Sequence, residues 1–284
     1  YRHLFIVPSD GGSARQLTFG EFNHYGSLAW APDSQKIFFS AHRSENWELV
    51  SDEADIYSVD IITKDLIQIS DEVGAERSPS ISPNGKMIAY SFEERRPLAY
   101  TPNQVAIMDI NGNNKRIISK DLDGDADNLQ WSDDNRSIFF SYDQRGIRKI
   151  GQLMLNGEIK NITNGLGGTT LGRPYLSGSY HHSAQNIAFT YGGGNRPADV
   201  AVLMNGKVNV LTELNNDLLD QLKLGDINEV VYNSSFDDQE IQGWYITPPD
   251  FDPQKKYPLV LEIHGGPHLA LSLIHISEPT RPNC

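Results

Sequence analysis

A segment of eleven residues recurs four times along the chain, at an interval of about 50 residues. In each copy a strand end is followed by a polar turn and then by a short apolar strand. Pro, Asp, Asn and Gly in the turns tolerate tight backbone geometry, and the apolar run suits a packed sheet face. The copies are residues 30–40, 81–91, 131–141 and 180–190. A repeat of this length is typical of β-propellers and solenoids.

A second apolar strand recurs between these copies, at residues 55–60, 105–109, 152–155 and 200–204. In three copies an Asn-Gly pair follows, which predicts a tight hairpin with positive φ at both residues. Two hairpins per repeat make a four-stranded unit, and a radial array of such units is a β-propeller. We therefore expect residues 1–213 to form one partial blade and four whole blades. The Asn-Gly pairs are Asn111 and Gly112, Asn156 and Gly157, and Asn205 and Gly206.

The repeat stops after Thr212, and a different kind of domain is predicted to begin. Residues 214–226 are predicted to be a linker with a short helix. Two strands near residues 230–232 and 241–247 follow, and then an apolar strand at 259–263. That strand runs into His264, Gly265, Gly266 and Pro267. This strand and loop resemble the oxyanion-hole loop of an α/β-hydrolase. The expected fold class is all-β: a partial β-propeller with TolB-like blades and then, as that resemblance implies, the first strands of an α/β-hydrolase domain in residues 227–270.

The C-terminal run differs in character from the rest of the chain. Residues 271–281 match the conceptual translation of a widely used transposase sequencing adapter. We therefore expect residues 271–284 to be a non-native tail, to be set aside in reasoning about the fold. Because the chain also begins at Tyr1 within a repeat, we expect it to be a fragment of a longer protein.

Composition excludes several classes of function. The formal net charge is −13, and no Lys/Arg cluster appears, so the sequence does not resemble a nucleic-acid binder. The acidic surface is either simply solvated or attracts cationic peptides. The sole cysteine, Cys284, lies in the expected tail, so no disulfide framework or Cys-based metal site is predicted. No stretch is long and apolar enough to span a membrane. Cytoplasmic and periplasmic locations both remain open, as does the oligomeric state.

Taken together, these motifs resemble the prolyl oligopeptidase family of serine peptidases, in its acylaminoacyl-peptidase and dipeptidyl-peptidase-like branch. Three features carry the resemblance: the TolB-like repeats, the segment Ile241 to Tyr245, and the strand that leads into His264 to Pro267. The last feature is the most specific, because propeller repeats also occur in proteins that are not enzymes.

The resemblance implies hydrolysis of short peptides through an acyl-enzyme, with no cofactor. A Ser nucleophile, a His base and an orienting Asp would be required. In this family they follow the His-Gly-Gly loop, so we expect the triad to lie beyond this chain and the chain itself to be inactive. The loop His264, Gly265, Gly266 and Pro267 would lie beside the oxyanion hole. The alternative is a non-catalytic, TolB-like propeller that binds proteins.

Two acidic motifs could form binding sites, but each has a simpler interpretation. Glu93 and Glu94 lie beside Arg95 and Arg96, and paired acids on a propeller rim could receive the free amino terminus of a peptide. A solvated charged loop is the favoured interpretation. The aspartates between Asp121 and Asp127 lack the Gly and Glu spacing of a helix-loop-helix calcium site, so we predict no metal site there.

Overall fold

The computed structural model describes residues 1–45, 47–50, 53–98, 100–167 and 177–261. These residues form two compact units, one of residues 1–142 with 150–162, and one of residues 143–149 with those from 163 onward. The first strands, β1 (Phe5–Ile6) and β2 (Arg15–Gln16), pair antiparallel as a two-stranded sheet. No helix in the described part of the chain is long and apolar enough to cross a membrane.

The next sixteen strands form four sheets, each of four strands in consecutive order. Blade 1 contains β3 (His24–Trp30), β4 (Lys36–Ala41), β5 (Asp55–Asp60) and β6 (Leu66–Gln68). Blade 2 contains β7 (Gly74–Ile81), β8 (Met87–Glu94), β9 (Gln104–Asp109) and β10 (Arg116–Ile117). Blade 3 contains β11 (Ala126–Trp131), β12 (Ser137–Gln144), β13 (Ile147–Met154) and β14 (Ile159–Asn164). Blade 4 contains β15 (Tyr180–Ser183), β16 (Asn186–Gly193), β17 (Arg196–Met204) and β18 (Lys207–Val210). The predicted partial β-propeller of an all-β protein is confirmed.

The turn in each repeated segment explains why the repeat is visible in the sequence. The fifth residue of every copy has positive φ, at Ser34, Gly85, Asn135 and Ala184. In three copies the residue before it accepts a hydrogen bond from the backbone N–H two positions later. These acceptors are Asp33, Asn84 and Asp134. Such short polar side chains stabilise a turn by imitating a backbone acceptor.

The Asn-Gly turns differ from the prediction at two of three sites. Only Asn205 and Gly206 both have positive φ, as a two-residue hairpin requires. Gly112 and Gly157 have positive φ, but Asn111 and Asn156 do not. Their loops are longer, and each Gly donates its N–H to the carbonyl three residues earlier, as in a type I turn that ends in a left-handed Gly.

Blades 1 and 3 bury the two faces of blade 2, which gives its strand β8 a nearly continuous apolar run. Ile88 and Tyr90 in β8 pack with Phe38 and Ile56 of blade 1. Ala89 belongs to the cluster shared with blade 3. The Trp131 indole of blade 3 also donates a hydrogen bond to the Ser80 carbonyl of blade 2, at 2.9 Å. In blades 1 to 3 the core is therefore a series of layers between successive blades.

The segment after blade 4 contains a helix of one turn and a hairpin. The helix α1 (Asn216–Leu219) lies in the predicted linker. The strands β19 (Ile227–Asn233) and β20 (Glu240–Ile246) pair antiparallel, near the positions that the sequence predicts.

Candidate functional site

The residues predicted to form the oxyanion loop, His264, Gly265, Gly266 and Pro267, lie outside the described residues. The strand predicted before them is described only in part. Leu259, Val260 and Leu261 are not in a strand, and they are 87%, 88% and 76% exposed. A strand forms where a neighbour pairs with its backbone, and no neighbouring strand pairs with residues 259–261 in the described part of the chain.

A group of charged side chains lies where blades 1 and 2 meet. We call these residues the junction cluster. Its acids come from the ends of β5, β7 and the connection between blades 1 and 2, and its one base precedes β10. The members are Glu53, Asp55, Asp71, Glu72, Glu76 and Lys115. No group of three or more His, Cys, Asp and Glu side chains in the described residues could hold a metal ion. The cluster is therefore a negative site with an internal ammonium.

Lys115 is the centre of the cluster. Its ammonium lies 3.1 Å from Asp71 and 3.9 Å from both Glu72 and Glu76, and its side chain is only 15% exposed. The Asp71 side chain is 86% exposed, whereas Glu76 is fully buried. The Lys115 ammonium thus lies between the exposed carboxylate of Asp71 and the buried carboxylate of Glu76.

Glu76 is the most perturbed acid in the cluster. Neither carboxylate oxygen has a hydrogen bond of good geometry. Burial raises the pKa of Glu76 to about 7, against the opposing effects of the nearby Ser70 hydroxyl and of Lys115. Burial, together with Glu53 and Asp71, also raises the pKa of Asp55 to about 6. Desolvation disfavours the charged form of a carboxyl, so both groups hold their protons at higher pH than usual.

We predict that Glu76→Gln makes the chain more resistant to unfolding above neutral pH. A raised pKa contributes stability below pH 4.5 that is lost as the pH rises through about 7, because the folded chain must then bury a charge. Gln mimics the neutral acid, so the variant should gain on the order of 2 kcal/mol relative to the parent between pH 5 and pH 8.

Urea denaturation at several pH values measures this difference. Glu72→Gln is the matched control, because the Glu72 carboxylate lies at the same distance from Lys115 but is 41% exposed. If the free energy of unfolding depended on pH in the same way for the parent and Glu76→Gln, the raised pKa of Glu76 would be contradicted.

The adjacent acids Glu93 and Glu94 do not converge on one point. Both lie in β8, and successive strand residues point to opposite faces of a sheet. Glu94 pairs with Arg96, while Arg95 pairs with Glu53 at 2.8 Å. The two acids therefore do not form a paired-acid site. The Arg95–Glu53 ion pair instead links the end of β8 to the junction cluster.

Sequence reasoning missed Glu76 and Lys115. Glu76 stands between Ala75 and Arg77 in a run with no apolar alternation, so the sequence carries no sign that its side chain is buried. Lys115 lies 39 residues further along the chain, and only the packing of the β9–β10 loop on the connection between the blades brings it near.

Comparison with known proteins agrees with this fold. Residues 1–97 match the family model described as "Dipeptidyl peptidase IV (DPP IV) N-terminal region". The chain is 26% identical over 253 residues to dipeptidyl-peptidase 5 of Porphyromonas gingivalis, covering 86% of this chain and 35% of the relative. It therefore spans about a third of the length of that relative.

Solved structures show the same architecture. A puromycin hydrolase mutant aligns with a TM-score of 0.59 at 13% identity, over 86% of this chain and 37% of the other. TolB from Acinetobacter baumannii aligns with a TM-score of 0.53 at 22% identity, over 74% of this chain and 48% of the other. At these identities the likeness concerns the propeller fold alone. Together, the blades, the family-model match and the dipeptidyl-peptidase relative support a dipeptidyl-peptidase-like protein of the prolyl oligopeptidase family.

Proposed function

We propose that the chain is the propeller, with the first part of the catalytic domain, of a serine peptidase that hydrolyses short peptides. Aminoacyl, dipeptidyl and oligopeptidyl substrates all fit this proposal. The observation that carries it is the match of residues 1–97 to the N-terminal region of dipeptidyl peptidase IV. The similarity to a dipeptidyl-peptidase 5 supports it over a longer stretch.

The proposed chemistry is acyl transfer. A Ser hydroxyl attacks the scissile carbonyl, its proton passes to a His, and an Asp orients that His. Backbone N–H groups at the loop His264 to Pro267 help to stabilise the negative charge on the carbonyl oxygen. Gly265 and Gly266 lack a Cβ, so the backbone can approach the substrate closely. We propose that the Ser, Asp and His belong to a longer polypeptide and that the 284-residue chain alone is inactive.

The propeller would admit and attract the substrate. The junction cluster combines five acids with one Lys, and the chain carries a net charge of −13. A negative surface raises the local concentration of cationic ligands, and this attraction weakens as salt rises. The amino terminus of a short peptide is such a cation, which favours peptides with a free terminus.

The reading frame downstream of the codon for Pro267 in the source DNA tests the proposal. We expect a Gly-x-Ser-x-Gly motif followed by an Asp and a His, and the protein expressed from that frame should release a chromophore from a dipeptidyl anilide. Changing the motif Ser to Ala should lower turnover by about 10⁴-fold or more, while the 284-residue chain should give no turnover. A frame without this motif would instead favour the non-catalytic, protein-binding propeller.

A further inference from the structure

The loop between β12 and β13 consists of two residues, Arg145 and Gly146, with φ of 51° and 65°. Positive φ at both residues is the geometry of a tight hairpin turn, and it favours Gly at the second place. A contact from outside the turn also requires Gly at position 146. A Cβ at this position would lie 2.5 Å from two ring carbons of Trp244 in β20. Only a residue without a side chain lets the indole approach so closely.

Arg145 contacts the same hairpin. Its guanidinium lies 3.2 Å from Glu240 Oε1 and 3.7 Å from Glu229 Oε1. Glu229 is paired with Trp244 across the two strands, and Glu240 is paired with Asn233. Because side chains alternate along a strand, Glu229, Glu240 and Trp244 all lie on one face of the hairpin. One turn therefore meets one face through an aromatic contact and two ion pairs.

The opposite face of the hairpin is apolar and open. Val230, Tyr232, Ile241 and Tyr245 are 38%, 53%, 37% and 49% exposed. A two-stranded hairpin is marginally stable by itself in water, because it buries too little surface. The described contacts that support β19 and β20 are therefore those on the face with Trp244.

We propose that the Arg145–Gly146 turn is the docking site that holds the β19–β20 hairpin folded and sets its orientation. Gly146 supplies a flat seat for the Trp244 ring, and Arg145 pairs with one carboxylate on each strand. The connection through α1 then serves as a tether, while the turn fixes the hairpin. The docking does not depend on the proposed peptidase activity.

Hydrogen exchange of the hairpin amides, followed by mass spectrometry on the 284-residue chain, tests this proposal. Gly146→Ala should increase exchange in residues 227–246 by roughly tenfold, because the methyl group displaces Trp244. Gly206→Ala is the matched control: Gly206 also has positive φ in a two-residue turn, but no atom lies within 4 Å of its missing Cβ. It should leave exchange in residues 227–246 unchanged.

Charge reversal tests the second contact without altering the glycine. Arg145→Glu should increase hairpin exchange by about two- to fivefold, since exposed ion pairs are individually weak. Adding Glu240→Arg to that variant should restore part of the protection. Equal protection of residues 227–246 in the parent, Gly146→Ala and Arg145→Glu would overturn the proposal, as would an equal loss in Gly206→Ala.

Discussion

Replacement of Phe140 by Ala should lower the free energy of unfolding of this chain by about 3–5 kcal/mol. The Phe140 side chain is fully buried in the layer between blades 2 and 3, and its ring stacks on Tyr142 with centroids 5.1 Å apart. Gly151 in β13 lies against the same ring, and a Cβ there would come within 2.7 Å of it. Two hydrogen-bonded sheets cannot easily close over the cavity that Ala leaves, so the full cost of the cavity is expected.

Urea denaturation followed by circular dichroism measures this loss. Phe236→Ala is the matched control, because Phe236 is 94% exposed in the turn between β19 and β20. The control should change stability by no more than about 0.5 kcal/mol. A loss of less than about 1 kcal/mol for Phe140→Ala would show that the layer between blades 2 and 3 is not packed as described.

Asp199→Ala should be the second severe change, with a loss of about 2–3 kcal/mol. The Asp199 side chain in β17 is 1% exposed. Its carboxylate accepts hydrogen bonds from Arg196 Nε, the Thr212 hydroxyl and the Leu214 N–H, each at 2.9 Å. The hydrogen bond from the Leu214 N–H is the main reason that the pKa of Asp199 lies below its usual value, and the other two donors lower it further. Truncation would leave three donors without their acceptor, one of them charged.

The effect of Asp199→Ala should also be local. Thr212 and Leu214 begin the segment that leads from blade 4 to α1, so limited proteolysis should cut residues 211–226 sooner in the variant. Asp199→Asn should be milder, because the amide oxygen keeps part of the acceptor capacity. Asp220→Ala, at an exposed position beside the same segment, is the control. Equal stability of Asp199→Ala and Asp220→Ala would refute the role assigned to this carboxylate.

Asp199 also implies a dependence on pH of opposite sign to that of Glu76. A lowered pKa contributes stability that is present above the ordinary value of 3.8 and lost as the pH falls through the folded-state value. Glu76 contributes stability at low pH that is lost near pH 7. Acid should therefore weaken the contacts that Asp199 makes after blade 4. A rise in pH from 4.5 through about 7 should weaken the junction between blades 1 and 2.

Much of the propeller was predictable because its signals are local. The four repeated turns need left-handed backbone at one place and a short polar acceptor beside it. Ser34, Gly85 and Asn135 meet the first need within a few residues of a recognisable apolar strand. Short apolar strands between such turns leave few alternatives to four-stranded blades. The hairpin of β19 and β20 was predictable for the same reason.

The prediction of positive φ at both residues of an Asn-Gly pair was wrong at Asn111 and Asn156 because their loops are longer than two residues. An Asn-Gly pair has positive φ at both residues only when the two strands end directly beside it, as at Asn205 and Gly206. Strand β9 ends at Asp109 and β10 begins at Arg116, so the chain has room for a different turn. Strand ends depend on pairing with a neighbour, and the pair of residues alone does not reveal them.

The amino-acid sequence by itself determined the all-β class and the recurring segments of turn and apolar strand from which the propeller is built. Only the tertiary structure decided which charged side chains are buried and which glycines are indispensable. Glu76 meets Lys115, Asp199 meets Leu214, and Gly146 meets Trp244 through packing between segments 15 to 98 residues apart. Turn and strand preferences act over a few neighbouring residues and so appear in the sequence. Desolvation and close contact depend on what the folded chain places beside a residue, and these appear only in the structure.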